Sequence, residues 1–215
     1  MAMPWLGVGW QALAAQAGAG TVFNDDTVAR LAHALAAKPY AAPDDALPPV
    51  LDGASYDQYR DLRFRPDQAL WRGQGRRFEA QFFHRGFLFK PRVELHAVED
   101  GQARRLPFST AQFDYAPGSP PQVGDIGFAG FRLHAPLNST EYFDEIAVFL
   151  GASYFRAVAK GLAYGLSARG LALGTGDPGP EEFPRFTAFW LHRPAARGNT
   201  ITVDALLDSP RVAGA

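Results

Sequence analysis

The chain reads as a mainly β protein, an antiparallel β-sandwich with a short helix near its N-terminus. Two observations predict this. Its 215 residues include 17 Phe, 22 Gly and 17 Pro, a blend that makes many short strands broken by turns rather than a helix bundle. From Arg77 onward apolar residues recur with a period of two, and little chain is left for helices between the runs. That pattern closes antiparallel sheets on a shared core.

The elements follow in order. Met1 to Ala19 (MAMPWLGVGWQALAAQAGA) is apolar and small. Trp5 to Leu13 suits the apolar part of an export signal and Ala15-Gln16-Ala17 its cleavage site, but no Lys or Arg precedes them. Residues 1–19 therefore read as an export-signal remnant, or else as a disordered peripheral segment. The run is too short and too glycine-interrupted to span a membrane. Asn24, Asp25 and Asp26 offer N-caps for a helix to about Lys38, with Val28, Leu31 and Leu35 on one face and Pro39 ending it. A Pro- and Asp-rich connector follows. Ser55 to Trp71 is charged and aromatic, and holds a short helix and then an edge strand stopped by Pro66.

Arg77 to Phe82 alternates cleanly, as a half-buried strand does. Arg92 to Ala97 alternates again, and Asp100-Gly101 after it signals a hairpin turn. Further strands are expected at Ile126–His134, Glu145–Leu150, Tyr154–Val158, Gly165–Leu173, Phe186–His192 and Thr200–Leu207, with a loop at Asp177-Pro178-Gly179-Pro180. Asp208-Ser209-Pro210 reads as a turn, and Arg211 to Ala215 as the opening of another strand. A sandwich needs that strand paired. Residues 20–215 are therefore expected to be the N-terminal part of a longer protein, or a truncated product.

Net charge is −1, which argues against nucleic acid or an anionic membrane as partner. Without a single Cys the chain has no disulfide, thiolate metal site or cysteine nucleophile. The five His residues are scattered, with no ligand-spaced pair, so no metal or other cofactor is expected. Gly174-x-Gly176 has no helix after it and is not a phosphate cradle. Ser167 lacks the glycine elbow of hydrolase nucleophiles.

Several blocks carry a more specific signal: YDQYRDLRFRPDQALW (56–71), FEAQFFHRGFLF (78–89), GFAGFRLH (127–134), FLGASYFRA (149–157), YGLSARGLA (164–172), EEFPRFTAFW (181–190) and the end from Asp204 to Ala215. In these blocks, in this order, the chain resembles the periplasmic glucan biosynthesis family of the MdoG/OpgG and OpgD type. The resemblance covers nearly everything after about residue 22. It implies a large β-sandwich of the galactose-mutarotase-like supersandwich kind, followed in full-length members by a smaller immunoglobulin-like domain. It also implies export to the periplasm and action on osmoregulated glucans with a β-1,2-linked glucose backbone, some members being β-1,2-glucan hydrolases. The present chain would supply only the first portion of the large domain, incomplete as a sandwich, with the catalytic carboxylates downstream. Beyond β-1,2-linked glucan, a second copy of the chain or the glucan-synthesis machinery stand as partners.

Asp144 to Trp190 is where ligand contacts are expected, because aromatic faces and guanidinium forks suit flat, hydroxyl-rich ligands. Glycosidases need two carboxylates across the scissile bond, but the acids here are adjacent (Asp44-Asp45, Asp144-Glu145, Glu181-Glu182) and neighbours on a strand point apart. No residue is assigned as catalytic. Glu182, in a loop beside Phe183-Pro184, is the acid best suited to hold a sugar hydroxyl. Arg156 and Arg169 would bind glucose hydroxyls or orient an acid; the plainer alternative is an ion pair with Glu145, Glu181 or Glu182. Tyr154, Tyr164 and Trp190 would stack on sugar rings, the alternative being core packing. His84 would line the cleft or sit as a satisfied strand histidine.

Overall fold

The computed structural model describes residues 20–115, 121–151 and 153–215; the segment read as an export-signal remnant lies outside them. In chain order, β1 (Thr21–Val22) leads to α1 (Thr27–Ala36), α2 (Pro49–Asp52), α3 (Tyr56–Arg60) and β2 (Arg63–Phe64). Then come β3 (Glu79–Phe83), β4 (Glu94–Glu99), β5 (Gln102–Arg105), β6 (Phe113–Asp114) and β7 (Gly130–Ala135). The rest are β8 (Asp144–Leu150), β9 (Tyr154–Ala157), β10 (Leu166–Arg169), β11 (Arg185–His192), β12 (Val203–Asp208) and β13 (Ala213–Gly214).

Two sheets face each other. One has the order β1-β5-β4-β11-β12-β13, the other β10-β9-β8-β7-β3, and β2 pairs with β6 beside them. The period-two pattern explains the core: Ala80, Phe82, Phe131 and Leu133 meet Leu95, Ala97, Phe189 and Leu191 between the sheets. Phe189 sits 4.9 Å from Phe131 and 5.1 Å from Phe149, ring to ring, across the gap. The sandwich is as expected, with one difference: β11 runs parallel to β4. Between these strands the chain passes through β7 to β10 of the second sheet, and so long a crossover lets β11 enter in the same direction.

The hairpin at Asp100-Gly101 forms as its sequence requires. Both residues have positive φ, 50° and 70°, the conformation of a type I′ turn between right-twisted strands. The short helix after Ser55 also forms, fixed by a capping box in which Ser55 and Gln58 satisfy each other's backbone N–H. On α1 the docking stripe is Val28 and Ala32, with Leu35 partly buried; Leu31 instead faces out, 39% exposed. The helix packs on the outer face of the six-stranded sheet, against Val98, Ala188, Trp190 and Leu206.

The molecule is therefore helix on sheet on sheet. Among the described residues, the remaining face, on the far side of the five-stranded sheet, carries no matching apolar layer. Its side chains are mainly polar, with Phe83 among them, and they build the site below.

Candidate functional site

Alternation along β3 and β7 sends Ala80, Phe82, Phe131 and Leu133 inward and leaves Glu79, Gln81, Phe83, Arg132 and His134 on the open face. On β8 strict alternation from Phe149 and Ala147 would turn Glu145 inward. A bulge intervenes: Leu133 pairs with Ala147 but His134 pairs with Glu145, so Ile146 is the extra residue. Such a bulge re-aims a side chain, and here it turns Glu145 onto the open face.

Glu145 then lies between two arginines. Arg132 Nη1 is 3.2 Å from its Oε2 and Arg156 Nη2 is 3.4 Å from its Oε1. The other fork of Arg132 donates to Gln81 Oε1 at 2.8 Å, and its guanidinium lies 5.5 Å from the centre of the Phe83 ring. A polar belt thus crosses β3, β7, β8 and β9. At its margin the buried Glu79 carboxylate, 6% exposed, pairs with Arg72 at 2.6 Å. Burial pushes the Glu79 carboxyl up, and Arg72 partly opposes this. Burial, helped by the Arg132 charge, pulls the His134 imidazole down.

Two depressions flank the belt. The first, of roughly 530 Å³, is lined by Tyr59, Arg60, Arg63, Phe83, Asp114 and Arg132 among others. Its wall is α3 and β2. Tyr59 is held there by donating its hydroxyl to the His84 carbonyl at 3.1 Å, and burial raises its phenol well above the usual range. Phe64 anchors the wall from beneath, packed edge-on against Phe82 and Phe113. The second depression, of roughly 390 Å³, is lined by Asn138, Asp144, Glu145, Arg156, Leu162 and Tyr164 among others. Arg132 lines one and Glu145 and Arg156 the other, so the ion-paired belt joins them. A cleft of a few hundred Å³ with an apolar floor and a few fixed polar groups is the usual build of a small-molecule site.

The residues proposed from sequence separate. Arg156 and Tyr164 come together in the second depression; Tyr164 is 85% exposed, and Arg156 makes the ion pair with Glu145 that was the plainer alternative. Tyr154 is exposed on β9. Arg169 leaves the belt: it donates to Ser153 Oγ at 2.8 Å and lies 3.8 Å from the Phe183 ring centre. Glu182 lies elsewhere as a latch, its Oε1 accepting from Ser209 Oγ at 2.6 Å and the Arg211 N–H at 2.9 Å. Those bonds, the serine's first, hold its carboxyl below the usual range. Trp190 is the clear correction. It is 5% exposed and stacked on His96 at 5.1 Å beneath α1, on the opposite side of the sandwich, so its face is not free for a sugar. Parity explains this: Phe189 and Leu191 fill the core, and Trp190 between them must point the other way.

His84, one residue past β3, is 2% exposed and makes bonds at both ring nitrogens, to the Arg85 carbonyl and the Tyr115 hydroxyl; it lines the first depression, as expected, with its ring already satisfied. Arg132, Gln81, Phe83 and Arg63 were missed, although the alternation of FEAQFF and GFRLH would have flagged the first three. Among the described residues no group of three or more His, Cys, Asp or Glu could hold a metal ion. Nor is any helix among them long and apolar enough to cross a membrane.

Fold and face together define a β-sandwich with one sheet face left open as a polar, cleft-bearing surface. The chain belongs to the periplasmic glucan biosynthesis protein family, MdoG, whose family model matches residues 23–215. It is 55% identical over 193 residues to a Glucans biosynthesis protein G of Rhodopseudomonas palustris, covering 90% of this chain and 38% of the relative. To the protein of that name from Vibrio cholerae serotype O1 it is 53% identical over 195 residues, 90% of this chain and 36% of the other. To that of Ralstonia nicotianae it is 50% identical over 212 residues, 98% and 42%. The chain thus spans about two-fifths of the length of the curated relatives it matches.

Proposed function

We propose that the open face of the five-stranded sheet binds a glucan chain, and that the protein serves periplasmic glucan biosynthesis in this way. The observation that carries the reading is the Arg132–Glu145–Arg156 network, which joins the two depressions into one polar track. A saccharide offers flat ring faces edged with hydroxyls. Phe83 and Tyr164 supply apolar surface, and the guanidinium forks supply donors already fixed by Glu145 and Gln81. The ligand we assign is the β-1,2-linked glucan of the family resemblance, and the compartment the periplasm. Titration calorimetry of the chain with linear β-1,2-linked gluco-oligosaccharides tests this. Binding is expected, and Arg132→Ala weakens it about tenfold or more, a loss typical of a charged hydrogen-bond donor. No heat with any oligomer would sink the reading.

The hydrolytic activity that the resemblance implies is a separate matter. On this face Glu79 is paired with Arg72, Glu145 with two arginines and Asp144 with the Asn138 N–H, while Asp114 lines the first depression, so these carboxylates do not stand as a free acid facing a free base. We therefore read residues 20–215 as a glucan-binding part of a larger sandwich, and assign any acid and base pair to the additional length of the relatives. A reducing-sugar assay on β-1,2-glucan separates the readings: product release by this chain alone would overturn the binding-only assignment.

A further inference from the structure

The turn after β3 holds a conformation most side chains avoid. Phe87 has φ 51° and Gly86 φ 156°, and the turn is closed by Gly86 N–H to Phe89 O at 3.2 Å and Phe89 N–H to Gly86 O at 2.8 Å. A left-handed phenylalanine brings Cβ too close to the following carbonyl oxygen, and it persists only where its surroundings enforce it. Here α3 enforces it. The Phe87 ring packs edge-on against Tyr56 at 5.8 Å and lies 6.3 Å from Tyr59, while Phe89 lies 5.5 Å from Tyr59. The result is an apolar shelf open to solvent, with Tyr56 59% and Leu88 74% exposed. Its nearby polar rim includes the Lys90–Asp52 pair.

The shelf is continuous with the first depression. Tyr56 and Arg60 are four residues apart on α3 and share one face of that helix, about 6 Å apart. Arg60 and Tyr59 line the depression, and Tyr59 also carries the Phe87 ring. An aromatic shelf leading into a polar track suits a molecule with apolar ring faces and a hydroxyl rim. We infer that Tyr56, Phe87 and Leu88 form a stacking subsite for further sugar rings of the same glucan chain that occupies the Arg132 track. The inference rests on the glucan-binding reading above.

The test is calorimetry of the 215-residue chain with linear β-1,2-linked glucose oligomers of increasing length, comparing the parent, Tyr56→Ala, Leu88→Ser and Arg132→Ala. Leu88 is 74% exposed, so Leu88→Ser leaves the fold intact; Tyr56→Ala also removes a ring contact that holds Phe87, and Leu88→Ser reads the subsite without that change. Affinity should rise with length in the parent. The shelf variants should lose about fivefold for long oligomers and nothing for the shortest, whereas Arg132→Ala weakens every length. Shelf variants equal to the parent at every length, with Arg132→Ala still weakened, overturn the subsite alone. An unaffected Arg132→Ala, or a parent that binds nothing, removes the reading beneath it as well. If Leu88→Ser converts a dimer to a monomer in sedimentation and spares long-oligomer affinity, the shelf is an interface between copies, and the subsite is overturned.

Discussion

Arg85 is 2% exposed and, among the described residues, has no carboxylate in hydrogen-bond contact. It donates instead to four carbonyls, those of Lys90 (2.5 Å), Ile126 (2.8 Å), Ala46 (3.0 Å) and Asp44 (3.1 Å). One side chain thus ties the 44–46 connector to the segments after β3 and before β7. Arg85→Met keeps most of the packing and strands those acceptors, each costing about 1–3 kcal/mol if left unpaired. Urea unfolding should show a loss of about 3 kcal/mol or more. Its neighbour His84 sets a pH dependence. Burial pushes its imidazole down to about 4 from the usual 6.5. The unfolded chain then binds the proton first, so this stability is present above about pH 6.5 and is lost as pH falls toward 4, roughly 3 kcal/mol in all. His96 and His134 are shifted the same way, chiefly by burial, whereas the raised Glu79 works in the opposite sense. The comparison to make is the slope of stability between pH 7 and 4 in the parent and in His84→Gln. An equal slope in both would rule out His84 as a source.

At the scale of elements, β7 and β8 form the centre of the candidate site, and Gly130 is what lets the start of β7 pair with the end of β8. It has φ 153°, and a Cβ there would lie 2.0 Å from the Phe149 carbonyl oxygen. That oxygen is backbone inside a sheet and cannot move aside. Gly130→Ala should therefore open the Gly130–Leu150 end of the ladder and destabilise by about 3 kcal/mol or more, as forced overpacking does. Thermal melting measures the loss. Oligosaccharide affinity at low temperature should fall with it, because Leu150 and Arg132 both line the first depression. Gly101 is a milder case. Its φ of 70° is strained for any side chain, but a Cβ there meets only the Phe23 carbonyl at 3.8 Å, so Gly101→Ala should cost about 1 kcal/mol.

Across the whole molecule, the three layers differ in how firmly they are held. The sheets share one cluster in which Phe131, Phe149, Phe186 and Phe189 interlock. Helix α1 is held by less. It has no side-chain N-cap bond and buries only Val28 and Ala32 fully. Native-state hydrogen exchange should find α1 opening at a lower free energy than β7 and β11. Equal protection would mean that the helix is part of the central cooperative unit. Phe189→Ala, at a side chain 1% exposed, should cost about 3–5 kcal/mol and lower the melting point of both sheets together. A broad, non-cooperative melt of the parent chain would instead mean that the two sheets do not form one cooperative unit.

Local chemistry was legible in the amino-acid order. The Asp100-Gly101 hairpin, the Ser55 cap and the alternating strands of FEAQFF and GFRLH all formed, because each depends on neighbours a few residues apart. The ordered family blocks likewise pointed to the glucan biosynthesis family before any fold was known. What lay beyond reach depended on distant partners. Whether Trp190 was platform or core turned on which sheet face α1 would cover. Glu145 reached the open face only through the Ile146 bulge, an irregularity of pairing between β7 and β8 that alternation within β8 contradicts. The Arg132–Glu145–Arg156 track joins residues from three strands, and its assembly belongs to the sheet register rather than to any local run of sequence.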